Sequence, residues 1–192
     1  MIQIKNAAEL QKMRKACAIS AAALKAGGEA IEPGITTAEI DKIIYDFIVR
    51  HGARPNFLHL YGFPATACIS VNDTVIHGIP TRQQQIRPGD IVSIDTGCKI
   101  DGFNGDNACT YGCGKLDLEA QRLLDVTKES LHRGIEMARG GNRVGDIGHA
   151  VQSYVEENGF SVVRTFVGHG VGKELHEDPA VSYTHLRAHE TS

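Results

Sequence analysis

The sequence predicts an α+β protein built from two similar halves, and three observations carry that expectation. Segments with the helical period of 3.6 alternate with short runs that have the strand period of 2. A stretch near mid-chain, IVSIDTGCKIDGFNGD (91–106), reads as a β-hairpin. An internal repeat is also present: PGITTAEIDKIIYDFIVRHG (33–52) lies over GGNRVGDIGHAVQSYVEENG (140–159) without a gap. Ile40 then matches Ile147, Ile44 matches Val151 and Phe47 matches Tyr154, while Gly34 and Gly52 match Gly141 and Gly159. Each copy follows a long helix and precedes strands, as expected of two α+β halves about a pseudo-twofold axis with a site between them. Any two amphipathic helices share part of this pattern, so chance similarity stays open.

Taken in order, Asn6 and Glu9 form a capping box that opens the first helix. Leu10, Met13, Cys17, Ala21 and Leu24 make its apolar stripe, and the helix stops before Pro33-Gly34. Thr36 and Glu39 form a second capping box. Ile40, Ile43, Ile44, Phe47 and Ile48 line one face of the helix that follows, and Gly52 stops it. Residues 53–64, ARPNFLHLYGFP, are a loop rich in aromatics. Thr66 to Val71 reads as a strand, Asn72-Asp73 as a turn, and Val75 to Ile79 as a second strand carrying His77. Pro88-Gly89-Asp90 turns the chain into the hairpin. Asp117 is placed to cap a third helix with Ala120, Leu123, Leu124, Leu131, Ile135 and Ala138 facing inward, ended by Gly140-Gly141. A fourth helix covers about Val144 to Asn158, and Phe160 to Val167 is a strand that leads into the loop Gly168-His169-Gly170.

Bulk composition narrows the function classes. With 192 residues, 42% hydrophobic and 22% charged, the chain is an ordinary globular protein of one domain or two closely packed halves. A formal net charge of −3 gives no support for nucleic acid or an anionic membrane as an obligate partner. No apolar run reaches transmembrane length, and MIQIKNAAELQKMRK lacks the order of a signal peptide, so the cytoplasm is the expected location. The five cysteines are odd in number and lack CxxC spacing, which favours reduced thiols over a disulfide frame or a zinc site.

The hairpin holds the first candidate chemistry. Asp101-Gly102 is a turn signal, and a two- or four-residue loop there puts Asp95 and Asp106 on one face, opposite or one diagonal apart. Two carboxylates side by side on an apolar hairpin repel each other and call for a positive charge between them, most simply a divalent metal. A solvated hairpin with two surface aspartates is the alternative. Imidazole would complete such a site. His77 in VIHGIP, His169 in VGHGVG and His176 in LHEDP are the histidines that stand out, though each taken singly also suits a hydrogen-bonded structural ring.

VNDTVIHGIP (71–80), DIVSIDTG (90–97), DGFNGD (101–106) and GHGVGKELHEDP (168–179) together resemble the type I methionine aminopeptidases, in order and in spacing. The resemblance covers Ile2 to about Val181. It implies the pita-bread fold, two pseudo-symmetric halves, and metal-assisted hydrolysis that removes the initiator methionine from nascent chains. It further implies that Asp95, Asp106 and His169 are metal ligands. His77 and His176 would contact the peptide and assist its proton transfers. Phe63 would line the methionine pocket, although an ordinary core phenylalanine is an equal reading of it. Two divalent ions (Co, Mn, Fe or Zn) would be the cofactors, and nascent N-termini, at the ribosome or free, the partners of a monomeric cytoplasmic hydrolase.

The sequence departs from that family at its end. The hairpin's counterparts on the repeat would fall beyond Ser192, and two glutamate ligands of the family have no match here. The expected organisation is therefore a catalytic domain over 1–181, with a first half at about 1–114 and a partial second half at about 115–181. Residues 182–192, SYTHLRAHETS, read as a foreign or unstructured tail. Impaired catalysis is expected of this chain. An Xaa-Pro dipeptidase of the same fold would share the metal pattern but usually carries an extra N-terminal domain. A binding protein on the same fold would work without metal, and the presence of all three ligands and both histidines argues against it.

Overall fold

The computed structural model describes residues 2–183. They form two compact units. One is Ile4–Asp117 with the short segment Val171–Leu175, and the other holds Leu118–Gly170 and residues 176–183.

The first unit begins with α1 (Ala7–Glu29) and α2 (Thr37–Arg50), each opened by its capping box. The Asn6 side chain accepts from the Glu9 N–H while the Glu9 carboxylate accepts from the Asn6 N–H, both at 3.0 Å. Thr36 and Glu39 repeat the exchange at 3.2 and 2.9 Å. The sheet is built on β3 (Ile91–Ile100), which pairs along its whole length with β4 (Phe103–Gly112). Its other edge is shared end to end by β2 (Ala67–Val71) and the two-residue β1 (Arg54–Pro55). Ile40, Ile44 and Ile48 of α2, Ile69 of β2, and Val92, Ile94 and Cys98 of β3 form the core with Ala23 and Leu24 of α1.

The buried face of α1 differs from the expected stripe. It consists of Ala16, Ser20, Ala23, Leu24 and Gly27, whereas Leu10 is 41% exposed and Cys17 lies outside. Small residues win this face because the hairpin comes so close. A methyl added to Gly105 of β4 would stand 2.5 Å from the backbone carbonyl of Ala16, and Ser20 Oγ donates to the Thr96 carbonyl at 3.0 Å. Hydrophobicity alone points to the larger residues one position away. The expected strand over Val75–Ile79 is also absent, since the chain leaves β2 through Asn72 at φ 54 and takes φ 58 at His77. A left-handed residue cannot continue a ladder. One bond remains, from the Ile69 N–H to the Gly78 carbonyl at 2.8 Å.

The second unit holds α3 (Leu118–Met137), α4 (Val144–Glu157), β5 (Val167–Gly170) and β6 (Glu177–Ser182), the last two paired antiparallel. Here too the expected inward set holds only in part, with Ala120, Leu123 and Leu124 half-buried. Val126, Ser130 and Gly134 are the buried residues of α3, while Leu131 and Ile135 are each 58% exposed. The strand expected over Phe160–Val167 starts only at Val167 and includes the Gly168-His169-Gly170 stretch that was expected to be a loop. Val162 and Val163 have strand composition, but pairing with β6 begins at Val167↔Ser182. Ser182, placed in the tail by sequence, is thus part of β6, and residues 184–192 of that tail lie outside the described residues.

The two units repeat the same local geometry. Gly34 and Gly141 both take φ 98, and Gly52 and Gly159 take φ 72 and 78. The residues that close α2 and α4, His51 and Asn158, have φ/ψ of −90/11 and −91/9. The likeness reaches back into the long helices. A methyl on Gly27 would meet Ile44 Cδ1 at 2.7 Å, and one on Gly134 would meet Val151 Cγ2 at 2.9 Å. These are matched positions of the repeat.

Candidate metal centre

The hairpin turn is Asp101-Gly102, with φ 52 and 84, the two left-handed residues that a tight I′ connection demands. That two-residue loop sets the register Ile100↔Phe103, and from it Asp95 faces Ala108 and Asp106 faces Gly97. Asp95 and Asp106 therefore lie one diagonal step apart on the same face, as the parity of the sequence required. The opposite face carries Val92, Ile94 and Cys98, all wholly buried. The aspartates thus stand on the side of the sheet turned away from the apolar core.

Other polar groups share that face. Ser93 Oγ and Thr110 Oγ1 meet at 2.8 Å across the hairpin. Cys68 of β2 pairs with Asp95. Its thiol is pushed up to about 12, first by burial, then by the charges of Asp95, Asp106 and Asp41. Asp41 of α2 accepts the N–H groups of Thr66 and Ala67 at 2.9 and 2.8 Å and so holds the start of β2. Sequence reading did not single out Cys68, because nothing in the sequence says which residue of a neighbouring strand falls opposite Asp95.

His169 and His176 belong to the second unit. His169 lies on β5 opposite Ala180, next to a bulge between His169 and Gly170. Its Nδ1 is 2.9 Å from the Gly170 carbonyl oxygen, which only accepts, so Nδ1 carries a proton, and in the neutral ring Nε2 carries the lone pair. That tautomer is the one a metal-binding Nε2 needs. The rings of His169 and His176 are 4.4 Å apart and tilted by 58°. His77 is exposed in the loop after β2, held there by the Gly78 N–H on Ser70 Oγ at 3.1 Å. Phe63 is half-buried and follows the short 3-10 turn Leu60–Gly62.

The structure thus holds the expected donors as two pairs: Asp95 with Asp106, and His169 with His176. Among the described residues, no group of three or more His, Cys, Asp or Glu side chains is gathered at metal-holding distance. In chemical type, hairpin carboxylates and an Nε2 imidazole suit a divalent ion of the Mn-to-Zn series.

Comparison with known proteins agrees with this chemistry. Residues 11–191 match metallopeptidase family M24. The methionine aminopeptidase of Clostridium perfringens is 52% identical over 181 residues, which are 94% of this chain and 72% of that protein. Methionine aminopeptidase 1 of Bacillus subtilis is 45% identical over 183 residues, 95% and 73% of the two. The crystal structure of methionine aminopeptidase from Thermotoga maritima superposes with a TM-score of 0.95 at 39% identity, covering 98% of this chain and 76% of that one. An X-Pro aminopeptidase of the same organism, at 22% identity and a TM-score of 0.78, shares the fold. The chain belongs to metallopeptidase family M24 and has its pita-bread fold. Within that family its sequence is that of the methionine aminopeptidase group of metallo-hydrolases, with the Xaa-Pro enzymes distinctly further away.

Proposed function

We propose that this chain removes the N-terminal methionine from nascent peptides, with Asp95, Asp106 and His169 as metal ligands. Two divalent ions of the Co, Mn, Fe or Zn class are the cofactors. When bound, they supply a water that is acidic near neutral pH and positive charge for the scissile carbonyl oxygen. The protein's own groups do the rest. His176 donates a hydrogen bond to the oxygen as negative charge develops on it. His77 delivers a proton to the departing amine. Phe63 lines the pocket for the methionine side chain, where its flat apolar ring suits a thioether. The enzyme acts in the cytoplasm as a monomer, on peptide ends emerging from the ribosome.

The observation that carries this reading is the shared face of Asp95 and Asp106, in a chain 52% identical to a methionine aminopeptidase.

Methionine release from Met-Ala-Ser, followed with added Co, Mn, Fe(II) or Zn, tests this reading. Release that needs metal and is lost in Asp106→Asn supports the function. Release indifferent to chelator or to Asp106→Asn overturns it.

A further inference from the structure

We propose that Asn104, assisted by Lys99, is a positioning residue of the metal centre. It fastens the strap Val171–Leu175, the piece of chain between His169 and His176, to the hairpin that carries Asp95 and Asp106. The inference rests on the reading of those aspartates and His169 as ligands.

Asn104 is 2% exposed, and its donors all go to one place. Its backbone N–H donates to the Gly172 carbonyl at 2.8 Å. Its Nδ2 donates to the carbonyls of Gly172 and Lys173, both at 2.9 Å. Lys99, its register partner across the hairpin, donates from Nζ to the Lys173 carbonyl at 2.6 Å. By strand parity Asn104 shares a face with Asp106, and Lys99 shares it with Asp95. Lys173 adds an ion pair to Glu9 of α1 at 3.0 Å.

The strap is not held by burial. Lys173 and Glu174 are exposed, and only Gly172 is buried. Beyond the Asn104 N–H bond, its attachment is a set of side-chain hydrogen bonds to carbonyl oxygens that no apolar residue could replace. The strap packs with the hairpin's unit, although the chain on either side of it belongs to the other unit. His169 lies three residues before Gly172, and His176 three residues after Lys173. Three residues span at most about 11 Å, so both imidazoles lie within a short, covalently fixed reach of the carbonyls that Asn104 and Lys99 hold. Removing the side-chain bonds of Asn104 loosens the strap that leads to both rings. Groups that orient ligands in this way typically change metal affinity 10- to 100-fold when removed.

The test is a Co(II) titration of the 192-residue chain, read by calorimetry and by the visible d–d spectrum, with hydrogen exchange of the metal-free chain alongside. His169→Ala must weaken Co(II) binding and alter the spectrum; if it does not, the ligand reading fails and this inference falls with it. Asn104→Ser is expected to weaken binding about 10- to 100-fold and to speed amide exchange in 171–175 while the β3 and β4 amides keep their protection. Asn104→Gln, which keeps both donors, is expected to restore most of the affinity. With His169→Ala behaving as stated, unchanged affinity and exchange in Asn104→Ser overturn the proposal. So does a loss that comes with general loosening of the sheet and is not restored by Gln, which would mark Asn104 as structural only. If Asn104→Ser does not fold, Lys99→Met decides: lower affinity with faster strap exchange supports the tether, and neither change overturns it.

Discussion

Asp95 and Asp106 could be placed from sequence because their relation depends on parity alone. Asp101-Gly102 specifies a two-residue turn, and a turn of that length leaves residues 95 and 106 on one face whatever packs behind them. Cys68 and Asn104 could not be placed, since each acts through a partner far away in sequence. Cys68 needs the β2–β3 register, and Asn104 needs a strap some seventy residues on. Cys98 is another residue of this kind. It is wholly buried, its thiol contacts the Ala16 carbonyl at 3.4 Å, and it is pushed from 9.0 up to about 11, by burial first and by Cys17 next. The unfolded thiol therefore loses its proton before the folded one does. Stability is indifferent to this group below pH 9 and falls as pH rises from 9 to 11, at on the order of 1 kcal/mol per pH unit. Urea melts across that range should show the fall, and Cys98→Ser, which keeps a donor and does not titrate, should make it shallower and leave the part that comes from Cys68, whose thiol is pushed up in the same way.

At the scale of elements, what was legible was what is local. Both capping boxes and the α2 stripe follow from residues three or four apart, and they appear as read. The buried faces of α1 and α3 were misread because closeness of approach, not hydrophobicity, selects them. Ala16 lets Gly105 of β4 lie directly against the α1 backbone, Ser20 reaches Thr96 of β3, and Gly27 makes room for Ile44 of α2. Gly105→Ala should accordingly cost about 1–3 kcal/mol, because the new methyl meets main chain that cannot turn aside. Since β4 also carries Asp106, the same variant should weaken metal binding. Chemical denaturation and a Co(II) titration on one preparation check the two effects together. The false strand at Val75–Ile79 has the opposite cause: good strand composition, overruled by left-handed backbone at Asn72 and His77.

For the molecule as a whole, the internal repeat was the most informative feature of the sequence. The matched φ values at Gly34/Gly141 and Gly52/Gly159, and the glycine contacts at Gly27 and Gly134, give it a physical basis beyond the similarity of two amphipathic helices. The repeat also shows where the units differ. In the first, Leu24 is 7% exposed and Gly28 lies against the Tyr111 ring of β4. Their counterparts in the second, Leu131 and Ile135, are open to solvent. Exposed apolar residues one turn apart favour self-association. Ile135→Glu should raise the concentration at which the chain stays monomeric in light scattering while shifting the melting temperature little. A large fall in melting temperature would mean that Ile135 contributes to packing.

The central claim is that Asp95 and Asp106 form one face of a metal centre with His169. Anomalous diffraction from crystals equilibrated with Mn(II) or Co(II) tests it most directly. The account predicts a peak bounded by the carboxylates of Asp95 and Asp106 and by Nε2 of His169. A peak held by other side chains, or none at saturating metal, would contradict it.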